Sequence, residues 1–227
     1  MKKLALSVLF ASALTASAQS PQLKPVIDKL NVASAKFSNA EADVAYDNYV
    51  RVVRDHTKQT GKIFVERHGK KTSMGAIFFD PGNSQPSKKI SYDGGTLQLF
   101  TPGTNQEDVF SAGKNQASYE GFLTLGFGGS GTDLEKAWSI TDMGTEQVNG
   151  VKAEKLDLVA KDASVKNNFT HVTLWLDLDR GLSVRQIFYQ PNGDTRTADY
   201  TNFRYNQKSI NRKPYEIPTK NVQRTNH

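Results

Sequence analysis

The chain predicts an α+β protein built mainly from antiparallel β-strands and led by one amphipathic helix. Three patterns carry that expectation. Apolar residues at Val26, Leu30, Ala33 and Phe37 are spaced four, three and four apart, which sets one stripe along a helical face. From Ala42 the period changes to two, beginning with Val44 and Tyr46. Short alternating runs then recur along the chain, separated by turns rich in glycine, asparagine and aspartate.

At 227 residues with 37% hydrophobic side chains, the chain is long enough for one sizeable core. It contains no cysteine, which excludes disulfides, thiolate nucleophiles, cysteine-ligated zinc and a lipid-modified N-terminal cysteine. Met1-Lys2-Lys3, the apolar run Leu4 to Leu14 and the small residues Ala16-Ser17-Ala18 form a secretory signal pattern. Residues 1–18 are therefore expected to be cleaved, leaving 19–227 as a single exported domain. Removing Lys2 and Lys3 from the 29 basic residues leaves 27 against 23 acidic ones. This mild excess is scattered over Lys70-Lys71, Lys88-Lys89 and Arg212-Lys213, without the basic stripe and interleaved aromatics of a nucleic-acid surface.

Pro25 suits the first turn of the leading helix, where its missing N–H costs nothing. Strand-like alternation continues through Val50 and Val52 and recurs in Lys62 to Arg67, Gly75 to Phe79, Lys89 to Tyr92, Thr96 to Phe100 and Asp108 to Ser111. Asp93-Gly94-Gly95, Asn149-Gly150, Asp179-Arg180-Gly181 and Asn192-Gly193 supply the positive φ values of tight hairpins. Val172, Leu174, Leu176 and Leu178 share one face of a long strand, with Thr173, Trp175 and Asp177 on the other; alternation does not decide which face is inward. Between Ala117 and Ser139 the alternation lapses. Tyr119, Phe122, Leu123 and Leu125 precede the glycine cluster Gly126 to Gly131, which reads as a hinge. Thr132-Asp133-Leu134-Glu135 then matches a capping box, with Leu134, Ala137 and Trp138 as a small apolar face. The tail from Asn211, carrying Pro214 and Pro218, reads as an edge strand or a strap that frays.

About ten antiparallel strands in hairpin order, with short helices inserted, require a sheet that curves and leaves a concave face. The striped helix is a natural cover, and the space beneath it is a candidate ligand cavity. Catalytic chemistry is sparse. The internal histidines His56, His68 and His171 lie far apart, and no His-Glu-x-x-His motif occurs, so no metal and no cofactor are assigned. Ser130 in Gly128-Gly129-Ser130-Gly131 only superficially approaches a nucleophile elbow. Asp157, Asp177 and Asp179 read as solvent-facing strand ends. An enzyme is not the expected class; a carrier of a hydrophobic molecule is.

Taken in order, several segments resemble the LolA-type periplasmic lipoprotein carrier family over roughly residues 22 to 222. They are the helix ending at Phe37, the strand Gly61-Lys62-Ile63-Phe64-Val65-Glu66-Arg67, the run Asp93-Gly94-Gly95-Thr96-Leu97-Gln98-Leu99-Phe100-Thr101-Pro102, Val148-Asn149-Gly150 onward to Leu156 and Leu158, and Leu174-Trp175-Leu176-Asp177. The resemblance implies an unclosed half-barrel of about eleven strands, covered by the N-terminal helix and short lid helices. It also implies a monomeric periplasmic carrier, not lipid-anchored, that takes acylated lipoproteins or lipids from an inner-membrane donor complex to an outer-membrane acceptor. Arg67 matches the arginine that holds the family's lid closed. His68 and Gln98 stand where the family has a proline and an aromatic residue. The cavity and lid are expected to use Val26, Leu30, Phe37, Leu97, Leu99, Phe122, Leu123, Leu134, Trp138 and Trp175. An envelope lipid sensor or protein-interaction module on the same scaffold is the alternative, since fold does not fix function.

Overall fold

A computed structural model describes residues 23–69, 71–113 and 116–227. The expected signal segment lies outside the described residues. Helix α1 (Leu23–Lys36) is followed by β1 (Asn39–Val50), β2 (Asp55–His68), β3 (Lys71–Phe79), β4 (Lys88–Asp93), β5 (Thr96–Thr101) and β6 (Gln106–Ser111). Helices α2 (Gln116–Leu123) and α3 (Gly131–Ala137) come next, then β7 (Trp138–Val148), β8 (Val151–Ala160), α4 (Ala163–Lys166), β9 (His171–Asp177), β10 (Leu182–Tyr189), β11 (Thr195–Tyr205) and β12 (Gln223–Asn226).

The strands form one open sheet in the order β12-β6-β5-β4-β3-β2-β1-β11-β10-β9-β8-β7. The chain thus enters at mid-sheet, meanders outward to β6, crosses through α2 and α3 to the far edge, and meanders back until β11 pairs with β1. Among the described residues the sheet has twelve strands, in keeping with the expected half-barrel of about eleven, and the last, β12 in the tail, runs parallel to β6. Hairpin turns fall where the sequence places them: Asn149 and Gly150 take φ of 51° and 77°, the pair of left-handed residues a two-residue connection needs.

α1 buries Leu23, Val26, Ile27, Leu30 and Ala33, its apolar stripe, while Lys24 and Asp28 pair one turn apart on the exposed face. Its C-terminal end is closed from afar by Asn206, whose amide donates to the Lys36 carbonyl at 2.8 Å while its oxygen accepts from the Ser38 N–H at 2.9 Å.

Four local expectations change. Val52 is not in a strand: β1 stops at Val50, and 51–54 form a turn. The cap of α3 is Ser130 rather than Thr132. The Ser130 hydroxyl accepts from the Asp133 N–H at 3.0 Å, whereas Thr132 donates from both its amide and its hydroxyl to Asn31 on α1. The glycine cluster is a close-packed crossing rather than a free hinge. A Cβ on Gly128 (φ 71°) would lie 2.3 Å from the Phe37 ring, and one on Gly126 (φ 77°) 2.6 Å from the Ser183 Cβ. Of the two readings of the tail, the edge strand is present as β12, and the fraying is not, since the segment leading to it is held: Tyr215 packs edge-on against Phe64, and Arg212 pairs with Glu66. β12 is fastened where Arg224 meets the buried Glu107 at 2.9 Å.

Candidate functional site

Alternation divides the sheet into two differently covered faces. On one, Leu23, Val26, Ile27 and Leu30 of α1 meet Leu156 and Leu158 of β8 and Val172, Leu174 and Leu176 of β9. Trp138 and Leu125 belong to this cluster, and Phe122 and Leu134 pack against it half-buried. Further along the same face, Phe37 and Phe127 meet Val44, Val65, Met74, Tyr92, Leu97 and Tyr200, with Leu99 and Leu123 at the margin. At these positions the space expected to form a hollow is taken by the chain's own side chains.

Trp175 is not among them. The pleat that turns Leu174 and Leu176 toward α1 turns Trp175 to the opposite face, beside Val148, Ala153 and Val184. There its indole N–H donates to Glu146 at 2.7 Å, with Lys155 and Arg185 over the ring. Sequence alternation leaves this open because Trp175, set among Thr173 and Asp177, is large enough for its face to be packed as well.

The link between α2 and α3 is tied into the sheet. The Ser183 N–H donates to the Gly126 carbonyl at 2.7 Å, and the Gly128 N–H donates to the Gly181 carbonyl at 2.9 Å. The Gln186 amide donates to the Leu125 carbonyl at 2.6 Å while its oxygen accepts from the Tyr200 hydroxyl at 3.2 Å. Burial pushes the Tyr200 phenol well above its ordinary value, so it stays a neutral donor. Phe127 sits edge-on to Tyr200 with centroids 5.0 Å apart. Sequence reading missed this polar support; Gln186, two residues before Phe188 on a strand, is its one visible signal.

Arg67, near the end of β2, reaches across this seam. Its Nη2 donates to the Gly128 carbonyl at 2.7 Å, and its Nη1 lies 3.3 Å from both the carbonyl and the hydroxyl of Ser34 on α1. The Ser34 hydroxyl donates to the same Gly128 carbonyl at 2.7 Å, and the guanidinium lies 5.4 Å over the Phe37 ring. One side chain of the sheet thus touches the last turn of α1 and the link between α2 and α3. A second polar tie joins Tyr92 of β4 to Glu120 of α2 at 2.8 Å.

The residues weighed for catalysis lie apart from this seam or act structurally. Ser130 is engaged in its cap, exchanging hydrogen bonds with Asp133, and this hydroxyl, followed by Lys136, holds the Asp133 carboxyl below its usual range. His56 pairs with Asp47, His68 lies beside Glu66, and His171 stacks on Tyr189. Asp177 organises its turn by accepting from the amides of Asp179 and Arg180. Among the described residues, no group of three potential metal ligands is gathered. A polar surface crevice of about 470 Å³ lies at the opposite end of the strands from the Gly181 turn, lined by residues including Asn168, Phe169, Gln190 and Arg196.

No family model and no curated protein matches the chain. Solved structures do. An uncharacterized conserved protein from Thermus thermophilus is 12% identical over 91% of this chain and 99% of that one, with a TM-score of 0.56. MucB is 12% identical over 90% of this chain with a TM-score of 0.54, and this chain spans 65% of its length. MucB in the Pseudomonas aeruginosa MucA/MucB complex is 12% identical over 87% of this chain and 61% of that one, with a TM-score of 0.50. At such identities the likeness is one of fold. What matches is this chain's architecture, a single open sheet of largely antiparallel strands with an N-terminal helix and a pair of short helices laid against one face.

Proposed function

We propose that the protein is an exported carrier that shelters acyl chains of lipoproteins or lipids between its helices and its sheet and moves them through the bacterial periplasm toward the outer membrane. The observation that carries this reading is the seam. The helices and the sheet meet largely through apolar side chains, while the polar ties between them gather at Arg67–Gly128–Ser34, at Tyr92–Glu120 and where the 125–128 link meets Gly181, Ser183 and Gln186. Apolar surfaces adhere without direction, so parting the helices from the sheet breaks few polar ties outside the 125–128 link and leaves a slot able to accept methylene groups. In this reading Arg67 is the latch of the cover, and Val26, Leu30, Phe37, Leu97, Leu99, Phe122, Leu123, Leu134 and Trp138 line the slot once it opens. Donor and acceptor would sit in the inner and outer membranes, with the carrier itself monomeric and unanchored.

Mass spectrometry of lipids extracted after gentle purification tests the proposal. Acyl species at near-stoichiometric yield are expected, reduced by Leu30→Asp and unchanged by Trp175→Phe. A chain that stays empty even when mixed with a synthetic diacylated lipopeptide would refute it. A second reading, an envelope sensor or interaction module, draws support from the likeness to MucB, which has been solved in complex with MucA. Crosslinking in cells separates the two, because a carrier traps many acylated proteins and a sensor one fixed partner.

A further inference from the structure

The β1–β2 hairpin ends in a turn of unusual composition. Arg51-Val52-Val53-Arg54 closes it, and Val52 and Val53 are 85% and 68% exposed, the highest values for large apolar side chains among the described residues. The other long hairpins turn on glycine, asparagine or aspartate, whereas here a non-glycine residue, Arg54, adopts a φ of 53°. Turn formation alone favours a different sequence at this place. Two adjacent valines held in water therefore ask for another reason.

The hairpin also projects. β2 pairs with β3 only from Thr60, opposite Phe79, so Asp55 to Gln59 run past the end of β3, roughly 15 Å of ribbon at about 3.3 Å per residue. On the other flank β11 accompanies β1 as far as Tyr49, and the Arg51 side chain lies against Gly193. Arg51 and Arg54 bracket the valines, with His56 and Lys58 behind them. The acidic neighbours are Asp55, Asp47, which faces His56 at 2.9 Å, and Asp194, which accepts from the Arg51 N–H at 2.8 Å. The residues next to the valines in sequence are both arginines and both exposed, Arg51 laid over Gly193 of the neighbouring turn.

We propose that this tip is a membrane-docking element: Val52 and Val53 dip into the interfacial layer of a bilayer carrying anionic headgroups, while Arg51 and Arg54 bind lipid phosphates. Branched apolar side chains flanked by arginines match the graded polarity of that layer, where a guanidinium remains at phosphate depth as its neighbours enter the acyl boundary. Two valines bury too little to anchor permanently, so the docking is reversible. A narrow ribbon tip offers far less area than the roughly 800 Å² per partner of a stable protein interface, which favours a lipid surface as its occupant. The inference does not rest on the carrier reading, because docking by the tip asks nothing of the seam.

The absence of cysteine permits a direct test in the full chain. Val53→Cys carrying an environment-sensitive fluorophore is titrated with vesicles of phosphatidylethanolamine and phosphatidylglycerol, and with vesicles of phosphatidylcholine alone. Met143→Cys, at a position 54% exposed on the edge strand β7, is the control. The label at 53 is expected to shift blue and brighten several-fold with the anionic vesicles, while the label at 143 stays unchanged. The paired change Val52→Asp, Val53→Asp is expected to lower vesicle co-sedimentation at least about tenfold with Tm preserved, and Arg51→Gln with Arg54→Gln to remove the preference for phosphatidylglycerol. A label at 53 unmoved by vesicles, an equal shift at 143, or undiminished sedimentation of the double aspartate variant overturns the proposal. So does a blue shift that requires an added protein rather than lipid.

Discussion

Replacing Arg67 with leucine asks whether one side chain biases the seam toward closure. The variant keeps the hydrocarbon bulk beside Phe37 and deletes the guanidinium. The loss comprises one well-placed charge-assisted hydrogen bond, Nη2 to the Gly128 carbonyl at 2.7 Å, two long ones of 3.3 Å to Ser34, and the contact 5.4 Å above the Phe37 ring. The first is worth about 1.5–3 kcal/mol and the ring contact about 0.5–1 kcal/mol. Two features argue for the low end. Arg67 is only half-buried, and the Gly128 carbonyl keeps its second donor, the Ser34 hydroxyl, so no acceptor is orphaned. A shift of about 2 kcal/mol, roughly 30-fold in an equilibrium constant, is the working expectation.

Hydrogen exchange reads that shift at the amides of Gly128 and Ser183, which bond to Gly181 and Gly126 across the seam. If the cover opens as a unit, these amides exchange in the wild-type chain at a lower free energy than core amides between β2 and β3, such as those near the paired Val65 and Met74. Arg67→Leu then speeds them about 30-fold, Arg67→Lys less, and Ser34→Ala couples to Arg67→Leu because both side chains share one carbonyl. Seam and core amides that exchange through one common opening in the wild type, or exchange at Gly128 that ignores the substitution, would rule out a cover latched by Arg67.

Gly128→Ala combines a left-handed backbone with a Cβ driven into the Phe37 ring, so a loss of about 2–4 kcal/mol is expected in urea unfolding, the m-value unchanged. Arg224→Ala removes the charged partner of Glu107, which is 1% exposed, and leaves it only the Gln98 amide; β12 should detach, seen as faster proteolysis of the tail and a loss of about 1–3 kcal/mol. Asp133 has a folded pKa below its ordinary value, so its stabilising effect is complete above the unfolded carboxylate range and is lost as pH falls through the folded value. Asp133→Asn should therefore be less stable than wild type at neutral pH, with the difference in Tm vanishing in acid; a gap that persists below the carboxylate range would contradict the cap geometry.

How far the sequence can be read follows from what each signal measures. Period and turn chemistry are local, and they locate α1, the hairpins and the change of pattern near Ala117. Facing is not local. β9 alternates Leu174 and Leu176 with Trp175, whose bulk lets its otherwise polar face be packed too, and the far face of the sheet carries its own cluster around it. The pattern misplaces the α3 cap by two residues because Thr132-x-x-Glu135 and Ser130-x-x-Asp133 both satisfy it; Asn31, about a hundred residues away, engages Thr132 and leaves Ser130 to cap. The glycine cluster suggests freedom and is instead proximity, a distinction that depends on where Phe37 and Ser183 lie. β12 has no apolar alternation to announce it, being exposed throughout, and is held by parallel pairing and the Arg224–Glu107 bond.

The filled seam bears on the carrier reading energetically. Withdrawing α1 from the sheet uncovers Leu23, Val26, Ile27 and Leu30, each worth about 1.5–3 kcal/mol when buried, so lifting the helix costs on the order of 6–12 kcal/mol. An acyl chain of ~16 carbons gains on the order of 12 kcal/mol on leaving water. Substituting cargo for the chain's own side chains is then nearly balanced, and a near balance is what lets a carrier both load and unload without an energy source of its own. A hollow that stood open and dry would bind tightly and release slowly. The balance has a measurable consequence: Leu30→Ala weakens the closed seam more than it weakens the loaded state, so it should raise affinity for a fluorescent acyl probe while lowering Tm. A parallel fall in both would show that Leu30 supports the loaded state as much as the closed one, and the near balance would fail; an unchanged affinity with lowered Tm would place α1 in the permanent core and cargo elsewhere.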